Sequence, residues 1–177
     1  MACTQTLSGL TRDCLGSLGG ILEVYLANVD DVSSITITSN KVTAITMNST
    51  AKFHKYALRR NSGSLTSTAT ANAASGNQFY TNDLLLQFSR METTKRVEIA
   101  AIALADTIAM VKDANGIYWL VGDQDHPLNL AGGTIGQTGQ ASSDRNGYDL
   151  PLQNESPDLP VEILVGTGGV NLSSIVA

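Results

Sequence analysis

In this 177-residue chain the run "DQDH", Asp123 to His126, is the densest group of side chains that could do chemistry. It offers two carboxylates and an imidazole, the material of a general base or a metal site. Its setting points elsewhere: a strand precedes it and Pro127 follows, and acidic residues are common in such turns. No nucleophile stands in a recognisable motif, since neither G-x-S-x-G nor H-E-x-x-H occurs. Catalytic groups also assemble from distant residues. An enzyme would therefore need a concave pocket joining His126 or Asp123 to a polar partner. The expectation is that the chain is not an enzyme and has no catalytic residue.

Cys3 and Cys14 lie eleven residues apart, and the two histidines, His54 and His126, share no paired spacing. A zinc site takes about four ligands, so no metal and no other cofactor is expected. Arg12 and Asp13 stand where a secretory leader would carry its apolar core. Without a leader, free thiols are expected rather than a disulfide. "GGTIGQTG", residues 132–139, looks like a phosphate loop but lacks the Lys-Ser/Thr ending. No helix follows whose N-terminus could hold phosphate, so a loop between strands is expected.

The one basic cluster, "KFHKYALRR", holds Lys52, Lys55, Arg59 and Arg60. On an extended strand Lys52 and Arg60 share one face while Lys55 and Arg59 share the other. Split in this way, the charges are expected to pair with a neighbouring subunit rather than grip phosphates. The net charge of −5 argues in the same direction, because tight nucleic-acid binding needs clustered Lys and Arg to displace counterions. Only 15% of residues are charged, against about 25% in typical soluble domains. A surface so poor in charge suits a subunit covered by copies of itself, with a mucin-like or adhesive surface as the rival explanation. Hydrophobic residues make up 42% of the chain, but no run approaches the roughly 18 apolar residues of a membrane helix.

These groups sit on a chain that reads mostly as strands, one domain over 1–177 with a C-terminal tail at 166–177. In "GGILEVYLANVD", Ile21, Glu23 and Tyr25 face one way, and the apolar Leu22, Val24 and Leu26 are expected to face the core. "SSITITS" and "KVTAITM" flank "SN", a hairpin signal. Strands over 52–61, 64–74 and 78–89 are expected to form an antiparallel meander. Ser64, Thr66, Thr68 and Thr70 then share one face, as do Thr81, Asp83 and Gln87, while Leu84, Leu86 and Phe88 face the core. One helix is expected over 93–105, with Val97, Ala100, Ala101 and Leu104 inward and Ser89-x-x-Glu92 as capping box. "VKDANGIYWLVG" is a hairpin turning at Asn115-Gly116, with Tyr118 and Trp119 on opposite faces. One of these aromatics is expected in the core beneath the helix and the other at a neighbour. The tail's last residues, "SSIVA", are apolar enough to dock.

From Lys52 onward the chain resembles the major tail tube proteins of tailed bacteriophages, above all those of phages infecting Bacteroides-like bacteria. "AKFHKYALRRNSGSLTSTAT", "NDLLLQFSRMETTKRVEIAAIAL", "VKDANGIYWLVG" and "TGQASSDRNGYDLPLQNESPDLPVEI" carry the resemblance, and "CTQTLSGLTRDCLGSLGGILEVYLAN" is similar to the family's start. The resemblance implies a mainly β fold, an antiparallel β-sandwich or partial barrel with one flanking helix. It implies hexameric rings stacked into a hollow tube, each subunit lending about four strands to the inner barrel. The same plan builds the tubes of type VI secretion and contractile injection systems. It implies a virion protein assembled in the bacterial cytoplasm, with tape measure, baseplate and terminator proteins as partners and DNA passing through unbound. On this reading Ser64, Thr66, Thr68, Thr70, Asp83 and Gln87 line the lumen, and Lys52, Lys55, Arg59 and Arg60 lie between subunits. Head-decoration and tail-terminator proteins, or the tube of a contractile injection machine, are the alternative readings.

Overall fold

Ser39 and Asn40 both adopt left-handed backbone, φ 52° and 61°, the geometry of a two-residue hairpin whose twist suits flanking strands. They join β2 (Val32–Thr38) to β3 (Lys41–Met47) as the sequence predicts. The computed structural model describes residues 9, 10, 12, 14–72, 74 and 76–177. The other elements are β1 (Ile21–Asn28), β4 (His54–Ala57), β5 (Gly63–Asn72), β6 (Asn77–Ser89) and α1 (Thr93–Ile102). They are followed by β7 (Thr107–Asp113), β8 (Tyr118–Val121), β9 (Asn129–Leu130), β10 (Gly136–Gln137), β11 (Gly147–Ser156), β12 (Val161–Ile163) and α2 (Leu172–Ile175).

Among the described residues the strands form two sheets, and neither closes into a barrel. One runs β2-β3-β12-β8-β7-β1-β4, with β12 and β3 its one parallel pair; the other runs β10-β11-β6-β5, with β9 beside β10 on the edge of β11. The fold is a mainly β sandwich with a flanking helix, as expected. Its central core joins Leu84 and Leu86 of β6 and Leu150 and Leu152 of β11 to Val24, Leu26, Ala109, Val111 and Val121 of the facing sheet. A second core lies on the other face of the larger sheet, where Tyr25, Ile108, Met110 and Leu120 meet Phe53 and the C-terminal Ile175.

Several local expectations are corrected. The meander of three does not form: β5 and β6 pair, but β4 joins β1 in the other sheet. Between Ala57 and Gly63 the chain changes sheets, with left-handed Asn61 at the corner. A Cβ at Gly63 would lie 2.9 Å from Leu58 Cδ1, so the glycine lets that leucine pack against the corner. Alternation within a strand says which residues share a face, not which sheet the strand enters. In β1 a register shift between Ile21 and Glu23 moves Ile21 onto the core face of Val24 and Leu26 and leaves Leu22 exposed.

The helix is shorter than expected and turned about its axis. Ile99 and Ile102 enter the central core, whereas Val97 and Leu104 are exposed. Two residues along a helix is a rotation of about 200°, so the stripe 97/100/101/104 looks outward while the larger isoleucines fill the space under α1. Ser89 belongs to β6, and Glu92 is the N-cap without a side-chain cap bond. Neither aromatic of the β7–β8 hairpin lies with those isoleucines. Tyr118 packs on the second core, and half-buried Trp119 donates its indole N–H to Asp113 Oδ2 at 3.2 Å.

The segments expected to be loops hold structure as well. Residues 132–139 include β10, and the tail includes α2. The tail docks on its own chain: Phe53 donates to the Ile175 carbonyl at 2.8 Å, and Ala177 donates back to Phe53 at 2.9 Å. Phe53 is fully buried beneath it. Truncating Ile175 to Ala leaves a void against Phe53 and is expected to cost about 2–4 kcal/mol, read as a lower urea midpoint at unchanged slope.

Candidate functional site

The register of the smaller sheet assembles the polar face that single strands only suggest. Thr66 opposes Asp83, which opposes Gln153; Thr68 opposes Thr81, which opposes Glu155; Gln87 opposes Asp149. Ser64, Thr66, Thr68, Thr70, Asp83 and Gln87 therefore share one face, with Leu85 and Pro151 interrupting it in one cross-strand row. Gln153 donates to Asp83 Oδ1 at 2.6 Å. The face carries carboxylates at Asp83, Asp149 and Glu155. Arg145 is engaged by Asp149 and donates to the Tyr148 carbonyl at 2.9 Å.

The reverse side of the same strands is apolar only in part. Past Leu84 it carries Asn82 and Asn154, both buried. Asn82 accepts from Ser67 Oγ at 2.6 Å and donates to Asn154 Oδ1 at 3.1 Å; Asn154 donates to the His126 carbonyl at 3.0 Å. Every link satisfies a group that would be costly to bury alone. Sequence reasoning missed this chain, although an Asn in the apolar phase of a strand is a signal that could have found it.

β5 lies at the edge of this sheet, and from Thr66 to Asn72 it is exposed. Its sequence, GSLTSTATAN, has no charge and no proline. The Gln87 N–H bonds to the Ser62 carbonyl, which in an antiparallel ladder makes that pair the bonded one. Ser64, Thr66, Thr68 and Thr70 then bond inward to β6, and Leu65, Ser67, Ala69 and Ala71 turn their backbone groups outward. The edge thus presents a row of N–H and C=O groups without the charges, prolines or bulges that usually blunt one.

The basic cluster divides. Lys55 Nζ lies 2.5 Å from Glu23 Oε1 in its own chain and above the Tyr25 ring, and Lys52 donates to the Ser174 carbonyl at 2.7 Å. Both are used within the chain, which departs from the expected pairing with a neighbour. Arg59 and Arg60 are exposed and form no ion pair among the described residues. Lys55 holds the Glu23 carboxyl below its ordinary value, with Tyr25 and Lys112 helping and burial opposing.

"DQDH" builds a turn. Asp123 Oδ1 accepts from the backbone N–H groups of Asp125 and His126 at 2.9 and 2.7 Å and faces His126 Nδ1 at 3.2 Å. A cleft of about 260 Å³ opens beside Asp123, between Asn82 and Asn154 on one sheet and Ile35 and Leu120 on the other; His126 is not in its lining. Among the described residues no group of three or more His, Cys, Asp or Glu is placed to hold a metal ion. Cys14 is an exposed free thiol, and Cys3 lies outside the described residues. No helix of the described residues is long and apolar enough to cross a membrane. Scans against protein-family models, curated proteins and solved structures return no match.

A depressed carboxyl pKa adds stability that is present above the ordinary value and lost as pH falls through the folded one. Glu23→Gln is therefore expected to destabilise by at most about 1 kcal/mol at neutral pH, since both partners are partly solvated. Denaturation series at stepped pH should show the parent's advantage shrinking below 4.5. An advantage that persists at pH 2 would contradict the pairing.

Proposed function

We propose that this chain is a structural virion protein, the subunit of a phage tail tube, whose copies close into hexameric rings and stack into a hollow conduit for DNA. The observation that carries the reading is the unblunted β5 edge beside a small, uncharged, hydroxyl-bearing face. In a head-to-tail ring β5 continues the sheet at the β9–β10 margin of the next copy, and closure removes the edge that would otherwise aggregate. The smaller sheet is four strands wide where β9 and β10 share the outer position. Six copies make about 24 strand positions, a circumference of about 115 Å and a diameter of roughly 37 Å before tilt widens it. Duplex DNA passes through such a lumen even after side chains are subtracted. The low charge of the chain and the ordered resemblance of its segments to tail tube proteins support the same reading.

The wall chemistry follows. Hydroxyls of Ser64, Thr66, Thr68 and Thr70, with Asp83 and Gln87, hold water at the lumen and offer phosphates no cationic grip. At −5 per chain a ring of six carries about −30, which keeps the polyanion moving rather than bound. Partners in the tail are the tape measure, baseplate and terminator proteins that the family resemblance implies.

Two experiments test this. Ala69→Pro removes one outward N–H without touching the β6 ladder. The variant is expected to keep the parent's melting temperature yet form no rings or tubes in negative-stain micrographs where the parent does; parent monomers at every concentration overturn the reading. Thr66→Lys with Thr68→Lys is expected to leave tubes intact and slow genome delivery at least tenfold. Unaltered delivery through such tubes would remove these residues from the lumen.

A further inference from the structure

Two apolar features are left exposed at opposite ends of the larger sheet. At one end the N-terminal arm leaves the β7–β8 hairpin. The Leu18 N–H bonds to Asn115 Oδ1 at 2.9 Å, Asn115 Nδ2 bonds back to the Leu18 carbonyl at 3.2 Å, and Ala114 donates to Gly20 at 3.0 Å. At this anchor the Leu18 side chain is 67% exposed, and beyond it Leu10 is fully exposed. A methyl group added at Gly9, Gly16 or Gly19 would meet nothing within 4 Å.

The receiving surface lies at the other end. β7 spans seven residues, about 23 Å, from the hairpin at Asp113 back to Thr107, where α1 has just ended. There a groove of about 210 Å³ runs between α1 and β1, walled by Ala101, Ile102 and Ala105 on one side and by the polar His54, Tyr56 and Glu98 on the other. The small alanines keep it open. Leu104, 92% exposed, stands on α1's outward stripe with Val97. Next to it Asp106 is exposed and in no ion pair among the described residues. The arm carries a charge complementary to Asp106 at Arg12, with Asp13 next to it in sequence; Arg12 is two residues from Leu10, as Asp106 is two residues from Leu104.

We propose that the leucine arm of one copy seats in the α1 groove of the next copy along a stack, Leu10 and Leu18 covering the stripe and Arg12 meeting Asp106. This rests on the tube reading for the direction of stacking. Donor and acceptor stand at opposite ends of the same chain, so the contact is heterologous and does not close on a pair; it repeats as long as copies are added. Ring closure by β5 and stacking by the arm are then separate contacts on separate surfaces.

Cys14, within the arm, supplies the test. The chain carrying Cys3→Ser and Ala101→Cys is oxidised after assembly and run on a non-reducing gel, with micrographs of the parent and the variant beside it. A ladder extending beyond dimer is expected. A species that stops at dimer, a monomer closed on itself, or no cross-link in assembled tubes overturns the arm contact and leaves the tube reading standing. A ladder from a chain whose parent never forms hollow tubes supports the arm contact and overturns the tube. Leu10→Ser with Leu18→Ser is expected to leave single rings and lower the sedimentable tube fraction at least tenfold. Asp106→Arg is expected to do the same and to be rescued by Arg12→Asp; tubes at parental yield from these variants overturn the proposal.

Discussion

Two sheets can share a core only if each turns one face inward, and in this chain Leu84, Leu86, Leu150 and Leu152 face Val24, Leu26, Ala109 and Val111. Each is buried, and removing apolar surface from water is the dominant favourable term in folding. Because side chains alternate along a strand, placing these leucines inward forces Asp83, Leu85, Gln87, Asp149, Pro151 and Gln153 outward. The polar face follows from the core pattern and from the antiparallel register that aligns its rows.

The same constraint explains why β5 is left open. Its inward positions pass from Leu65 to Ser67, Ala69 and Ala71, and only the first packs against the central core. The strand is held by its ladder to β6 and by the Ser67–Asn82–Asn154 chain of hydrogen bonds, not by apolar burial. A strand paired on one side, uncharged and exposed on both faces gains most from a second partner. On the proposed reading the neighbouring copy is that partner. The larger sheet has its own closure, since the C-terminal segment covers its second core through Phe53 and Ile175.

Much of this was legible residue by residue. The Ser-Asn and Asn-Gly turns, the hydroxyl alternation of β5 and the leucine alternation of β6 need only local rules. At the Asn-Gly turn, Gly116 alone takes the positive φ, 87°, while Asn115 instead ties down the arm. The errors cluster where a distant partner decides. β4 enters the larger sheet beside β1, which lies about thirty residues earlier, a partner that alternation within the strand does not name. In α1 alanines and isoleucines both fit a helical period, and the larger side chains win the interior by area. The Lys55–Glu23 pair is equally distant along the chain, so local alternation does not reveal it.

By itself the sequence determined the secondary-structure types, the turns, the alternating faces and the scarcity of charge, all properties of neighbours within a few residues. The tertiary structure decided which strands share a sheet, which face of α1 is buried, that Asn82 and Asn154 satisfy each other, and that the leucine arm and the α1 groove stand at opposite ends. These depend on contacts between residues far apart in the chain. Several arrangements satisfy the local pattern there, and only joint packing selects among them.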